Sequence, residues 1–254
     1  TITRVYRGRG RSLQSLAESS FDAWTKFYKQ DENAPNAIVS YYAKGMLVAM
    51  ALDLVMRMRT DNRVGLDHVM QHLWQEYCEG REGILERHVE EVAERLCGTS
   101  LKEFFDVAVR GVGDLPLDEY LAAHGVEMRW RAAVSTDDKG GALERGSSIN
   151  QAALGLQLGG ACKVGFVFQG GAAHAAGVSA GDELVAWNGV RLSATTLKQH
   201  LRRHAPGDQV KLVAFRRDEL MRFEVQLQSA PLDTCALSTK EGREPLRDEW
   251  LLGE

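Results

Sequence analysis

The sequence is poor in the features that would fix a class at once. Its four cysteines, Cys78, Cys97, Cys162 and Cys235, are far apart and form no C-x-x-C pair. That spacing supports neither a structural zinc knuckle nor a disulfide framework, and a reducing, cytoplasmic compartment is the default reading. No apolar run approaches the roughly 20 residues a membrane span needs; the uninterrupted stretch from Met46 to Leu52 is far too short. Charge is nearly balanced, 31 Lys and Arg against 35 Asp and Glu, with the arginines scattered, so there is no electrostatic footprint for nucleic acid. There is no fixed-period repeat, no low-complexity tract, and no glycine-rich phosphate loop after a strand. No Ser-His-Asp or Cys-His arrangement stands out. The first residues resemble no signal peptide. Arg4, Arg7, Arg9 and Arg11 lie in a glycine-punctuated strip, a start that reads as the interior of a longer protein.

What is present is organised around Ser40 to Arg57, broken only by Ser40, Lys44, Asp53 and Arg57. With Lys44 and Asp53 on opposite sides, the stretch predicts a helix that is apolar nearly all round and buried. It would span roughly 27 Å. Asp53 and Arg57, four apart, can pair along it. Gly45 costs roughly 1 kcal/mol against Ala inside a helix, which predicts that something packs close to the backbone there, just after Tyr41 and Tyr42.

Before this helix, Ser12 can cap another running to about Gln30, with Leu13, Leu16, Phe21, Trp24, Phe27 and Tyr28 as its apolar contacts. Asp31 to Asn36, with Pro35, is a turn. After the central helix, Thr60 to Gly65 is a polar loop. Leu66 to Cys78 is amphipathic, with Leu66, Val69, Met70, Leu73 and Tyr77 on one side, and 79–83 breaks it. Further helices are expected over Ile84–Cys97, closed by Gly98, from Thr99 or Ser100 to Arg110, and over Leu115–His124, closed by Gly125. Residues 1–134 thus predict an all-α array and 135–148 a linker. In 149–230 the period shifts to short strands, Gly155–Leu158, Val164–Gln169, Glu183–Trp187, Gln209–Arg216 and Met221–Gln228, with one helix near Thr195–His204. Residues 231–254 read as a polar tail, either loosely ordered or docked back through Trp250. The fold class is α+β with two domains.

The run Gln169–Gly189, Q-G-G-A-A-H-A-A-G-V-S-A-G-D-E-L-V-A-W-N-G, resembles the core of a bacterial-type PDZ domain. It has the small-residue helix Ala172–Ala176, Gly177, Gly181-Asp182, the apolar strand Leu184–Trp187 and the closing Asn188-Gly189, a pair suited to a type I′ turn. The resemblance implies a β-rich domain that takes extended peptides or peptide C-termini as an added strand. Its carboxylate loop would be Leu154-Gly155-Leu156-Gln157-Leu158, and its other wall the helix carrying Leu197, His200 and Leu201, with His204 at the margin. The loop departs from the family's usual glycine pair. A module docked within its own chain is the alternative.

The stretches Ser19–Tyr28, S-Y-Y-A-K-G and L-D-L-V-M-R resemble the PDZ-bearing glycyl aminopeptidases, zinc peptidases of the thermolysin-like gluzincin type. F-F-D at 104–106, L-P-L at 115–117 and F-R-R-D-E-L at 215–220 fit the same family. The resemblance implies a catalytic tyrosine, Tyr42, that donates a hydrogen bond to the oxyanion of the tetrahedral intermediate. Read from the residues alone, Tyr41 and Tyr42 are equally amphipathic core residues at a helix start. The family's H-E-x-x-H helix and its downstream ligand glutamate are absent from this sequence. The resemblance therefore implies the C-terminal part of such an enzyme, with zinc and the N-terminal catalytic region outside the chain.

Two histidine pairs have helical i, i+4 spacing. His68 and His72 have Val69 where a general base would stand and lie opposite the apolar side, so a solvated face is expected. His200 and His204 have arginines nearby that would repel a cation. Two readings follow: the C-terminal portion of a zinc aminopeptidase, inactive alone, or a non-enzymatic PDZ adaptor.

Overall fold

The computed structural model describes residues 1–78, 83–135, 137–143, 146 and 149–253, apart from the side chains of residues 77 and 78. The break expected at 79–83 lies, up to residue 82, outside the described residues, as does the side chain of Tyr77.

The chain opens with α1 (Ile2–Arg7) and a 3-10 turn (Arg9–Ser12). That turn lies so close to the next strand of backbone that a Cβ on Gly10 would sit 1.9 Å from the Ile38 carbonyl oxygen. The next helix is shorter than expected and starts elsewhere. α2 (Leu16–Phe21) begins at Ser15, whose hydroxyl accepts the Glu18 N–H at 3.1 Å while the Glu18 carboxylate accepts the Ser15 N–H at 2.8 Å. This reciprocal pair fixes the start; Ser12 instead donates to the Arg9 carbonyl. Residues 22–29 then proceed in turns. The 3.6-residue period is lost, and Leu13, Phe21, Trp24 and Tyr28, expected as core contacts, are exposed.

After α3 (Ala34–Ala37), Ser40 caps α4 (Tyr41–Arg59), accepting the Ala43 N–H at 3.2 Å. Leu47, Ala51, Leu54, Val55 and Met56 are buried in the centre of the helical half. The helix is not covered all round. Tyr42 and Met46, one turn apart on one stripe, are 59% and 58% exposed. Nor does anything press on Gly45: a Cβ there meets only Leu16 Cδ1, at an ordinary 3.9 Å. The expectation of a close backbone neighbour is corrected. Lys44 is buried, and its ammonium has no hydrogen-bond partner.

α5 (Leu66–Leu73) widens into a π-helical turn (Trp74–Cys78) and buries Val69 and Leu73, while Met70 faces out. α6 (His88–Cys97) ends at Gly98 with φ +66°, the left-handed closure its glycine promised. α7 (Lys102–Phe105), continued by a π turn (Asp106–Arg110), buries Phe104 and Phe105, and α8 (Leu117–Ala123) leads into β1 (Val126–Arg131). Asp53 pairs with Arg57 at 3.0 Å as the spacing predicts. It also accepts the Leu66 N–H at 2.8 Å and the Trp250 indole N–H at 2.9 Å.

The β-rich half comprises β2 (Ala152–Ala153), β3 (Leu156–Leu158), β4 (Val164–Val167), α9 (Ala172–Ala175), β5 (Glu183–Trp187), β6 (Val190–Arg191), α10 (Ala194–Arg203), β7 (Gln209–Arg216), β8 (Glu219–Gln226) and β9 (Gln228–Ser229). A four-stranded antiparallel sheet runs β6-β5-β7-β8, with β3–β4 and β2–β9 as separate pairs. Strand alternation is plain on β7, where Val210, Leu212 and Ala214 are buried and their neighbours are not. Asn188 and Gly189, at φ +49° and +81°, make the turn between β5 and β6. Asp182 is fully buried. It accepts the Ser179 N–H and both arms of the Arg216 guanidinium at 2.8 Å. Removing Arg216 would strand a buried carboxylate, at a cost of about 3 kcal/mol.

The last residues do not hang free. β10 (Thr234–Thr239) pairs antiparallel with β1 from Val126↔Thr239 to Arg131↔Thr234, and α11 (Glu244–Leu252) returns Trp250 to Asp53 and His124. Of the two expectations for this segment, docking through Trp250 is what the structure has. Part of the expected linker is pinned as well. Burial alone would raise the Asp138 carboxyl, but Arg131 and the N–H groups of Val134 and Gly140 hold it down at about 2. Arg7 reaches the Asp138 carbonyl at 3.0 Å. No described helix is long and apolar enough to cross a membrane.

Candidate functional site

The first turn of α4 carries the densest group of exposed aromatic and phenolic side chains. The cap at Ser40 fixes where the helix starts and so places Tyr41 and Tyr42 side by side, ring centroids 4.2 Å apart. The turns after α2 bring Tyr28 over both. Its hydroxyl lies 3.0 Å from that of Tyr41 and 2.9 Å from that of Tyr42. Phe27 packs edge-on to Tyr41 at 5.1 Å and to Tyr42 at 5.8 Å, and Trp24 sits 5.0 Å from Tyr28. The hydrogen bond from Tyr28, with a lesser contribution from Tyr41, holds the Tyr42 phenol below the ordinary tyrosine value. The same network pushes Tyr41 up, Tyr28 being the larger cause. A phenol that is exposed, acidified and held by a neighbour is a good hydrogen-bond donor to an incoming oxyanion. Trp24, 79% exposed, flanks the group. Sequence reasoning singled out Tyr42 but took Tyr28 for a core contact. Nothing local links two residues fourteen apart across a proline turn, so this pairing had no sequence signal.

The residues expected to wall a peptide groove fall into three places. Gly155, in the left-handed region at φ +73°, crosses Gly171 so closely that a Cβ would lie 2.9 Å from its Cα, and it holds the turn that starts β3. Gly155, Leu156 and Leu201 line a small cavity of about 80 Å³, bounded by the chain's own Ala230, Pro231 and Asp233 and by Arg7. Gln157 points the other way. It lines a cavity of about 580 Å³ between the two halves, with Arg4, Arg7, Phe27, Phe166 and Phe168. Leu158 packs against the core of the β-rich half, and Leu197 is buried within it. Leu201 also belongs to that core, so the apolar stripe of α10 is largely spent on folding. His200 stacks on the buried Trp187 ring at 5.4 Å, with His204 edge-on at 5.2 Å. Burial lowers the His200 pKa, and His204 and Arg203 lower it further. These histidines pack on an indole. Among the described strands β3 pairs with β4 alone, which leaves its other edge open. Asn36 ties the halves together: its Nδ2 donates to the Val167 carbonyl at 2.8 Å and its Oδ1 accepts the Gln169 N–H at 2.9 Å.

His68 closes the first turn of α5, its Nδ1 accepting the Gly65 N–H at 3.1 Å. Among the described residues no three His, Cys, Asp or Glu side chains are grouped to hold a metal ion. The described donors therefore do not by themselves fit a zinc centre.

With this geometry in hand, comparison with known proteins gives two matches that bear on function. The family model described as M61 glycyl aminopeptidase matches residues 1–48, a stretch that holds Tyr28, Tyr41 and Tyr42. The crystal structure of an aminopeptidase N family protein from Idiomarina loihiensis superposes with a TM-score of 0.92 and 36% identity, over 98% of this chain and 42% of that one. The chain thus spans about two fifths of the length of that relative. An HtrA-type protease bound to a decapeptide aligns with 34% of this chain and 31% of its own at 16% identity, but a TM-score of 0.30 carries no argument. No curated protein matches.

Proposed function

We propose that the chain belongs to the M61 glycyl aminopeptidases and forms the C-terminal portion of such an enzyme, a hydrolase acting on peptide substrates. In this reading Tyr42 is its catalytic contribution, and the zinc and its ligands belong to the N-terminal catalytic region. The observation that carries the reading is the exposed, hydrogen-bonded Tyr42 hydroxyl on the first turn of α4, inside the stretch that matches the family model. No reaction step runs through a metal on this chain, because its described donors do not fit one. What Tyr42 does is present an exposed hydroxyl, held at 2.9 Å by that of Tyr28, to charge developing on a substrate carbonyl oxygen.

The test is direct. The protein expressed from its complete reading frame should release N-terminal glycine from small peptide substrates. Tyr42→Phe should lower kcat by about 10²–10³-fold, the usual loss for one oxyanion donor. A Tyr42→Phe enzyme with undiminished kcat removes Tyr42 from the mechanism.

The β-rich half is read as a PDZ module. The open edge of β3 favours peptide capture by strand addition. The cover that Ala230–Asp233 lays over the Gly155 end favours a module docked within its own chain. As an adaptor, the chain would bind peptides with no chemistry at Tyr42.

A further inference from the structure

We propose that Tyr28 is a positioning residue for Tyr42: it accepts a hydrogen bond from Tyr41 and donates one to Tyr42, which leaves the Tyr42 proton directed out of the cluster. This rests on the reading of Tyr42 as a hydrogen-bond donor to substrate, and it goes further by naming what aims that donor.

Three phenols carry three O–H protons. The hydroxyl contacts within 3.5 Å both run through Tyr28, at 3.0 Å to Tyr41 and 2.9 Å to Tyr42, and the longer Tyr41–Tyr42 interaction is weaker. Tyr28 has one proton and can donate to only one neighbour. One proton is therefore left unused within the group. Burial decides where it goes. Tyr41 is half-buried beneath Phe27, so its proton is spent inside the group; of the exposed pair, Tyr28 at 51% and Tyr42 at 59%, the unused donor falls to the more exposed Tyr42, where water or a substrate can take it. The order Tyr41 to Tyr28 to Tyr42 to substrate satisfies every group. In such a chain each bond polarises the next, so the terminal O–H becomes the strongest donor. The opposite displacements of Tyr41, upward, and Tyr42, downward, agree with this direction. The rings are held as well as the hydroxyls: Phe27 meets Tyr28, Tyr41 and Tyr42 edge-on within 5.8 Å, so a Tyr28→Phe change deletes one oxygen and leaves the packing.

Two measurements test it. In this chain, with ¹³C-labelled tyrosine Cζ followed by NMR through alkaline pH, Tyr28→Phe should move the Tyr42 midpoint up and the Tyr41 midpoint down. Unmoved midpoints in a folded variant overturn the relay. Should Tyr28→Phe not fold, Tyr41→Phe serves: the relay requires the Tyr42 midpoint to rise, and an unchanged one overturns it. In the protein from the complete reading frame, Tyr28→Phe should lower kcat about tenfold with KM unchanged, the effect of losing one supporting hydrogen bond. An active enzyme in which Tyr28→Phe leaves kcat intact overturns the positioning role. A wild-type protein without peptidase turnover overturns the enzymatic reading instead, and the NMR midpoints then decide the relay by themselves.

Discussion

Gly45→Ala isolates a point on which the sequence and the structure disagree. A glycine inside a helix costs about 1 kcal/mol relative to alanine, through backbone entropy and lost helix propensity. Chains tolerate that cost where something needs the space. Here the space is empty: a Cβ at position 45 meets Leu16 Cδ1 at 3.9 Å, a normal van der Waals contact, and nothing else within 4 Å. With no steric penalty to set against it, the substitution should stabilise the helical half by about 1 kcal/mol. For a chain of this size that is roughly 2–4 °C in Tm. Urea unfolding followed by helical circular dichroism measures it, together with the thermal midpoint. Gly65→Ala is the control on a neighbouring turn. Its Cβ would lie 2.5 Å from Asp53 Oδ1 and 2.8 Å from Arg57 Nη2, and because Asp53 is pinned by Arg57, the Leu66 N–H and Trp250, moving it aside should cost about 1–3 kcal/mol. A Gly45→Ala protein no more stable than wild type would refute the reasoning, and would mean the site is crowded after all.

Lys44→Met should stabilise the chain by about 1–2 kcal/mol at neutral pH, since the buried ammonium has no partner. Burial lowers the Lys44 pKa, Asp114 partly opposes it, and Arg11 adds to it. With the folded value below the unfolded one, the folded chain carries the full penalty at neutral pH and sheds it as pH rises through the folded value. The advantage of the Lys44→Met variant over wild type should therefore shrink in alkaline solution; an advantage independent of pH would contradict the charge argument. For the β-rich half, a library of free C-terminal peptides titrated onto the chain should shift the amides of Leu156 and its β3 neighbours if the open edge takes a strand, and the absence of any saturable shift there sinks peptide capture.

What could be read from the sequence was what neighbours along the chain decide. The Asp53–Arg57 pair follows from i, i+4 spacing, the Gly98 closure from its position after an apolar period, and β7 from strict alternation. The failures share one cause, that the deciding partner is distant. Leu13 to Tyr28 has enough apolar residues for a long helix, but α2 stops at Phe21 and the aromatics after it turn outward to pack with Tyr41 and Tyr42 on a distant segment. β10 was missed because Thr234–Thr239 looks like polar tail until β1 lies beside it. Leu197 and Leu201 were rightly read as one stripe of a helix. The stripe faces the core, which a wheel drawn for α10 alone does not reveal. Tyr42 was found by resemblance, while Tyr28 needed the three-dimensional turn.

The pairing of Arg131 with Thr234 has a consequence for how such a protein can be remodelled. These two residues face each other at the end of the β1–β10 ladder, with Cα atoms on the order of 5 Å apart. Everything from 132 to 233 leaves and re-enters the helical half through that one doorway. The β-rich half is therefore inserted between two paired strands, and its removal would strip Arg7 and Arg131 of Asp138 and Asn36 of Val167 and Gln169, so the helical half would be left with unpaired polar groups along that seam.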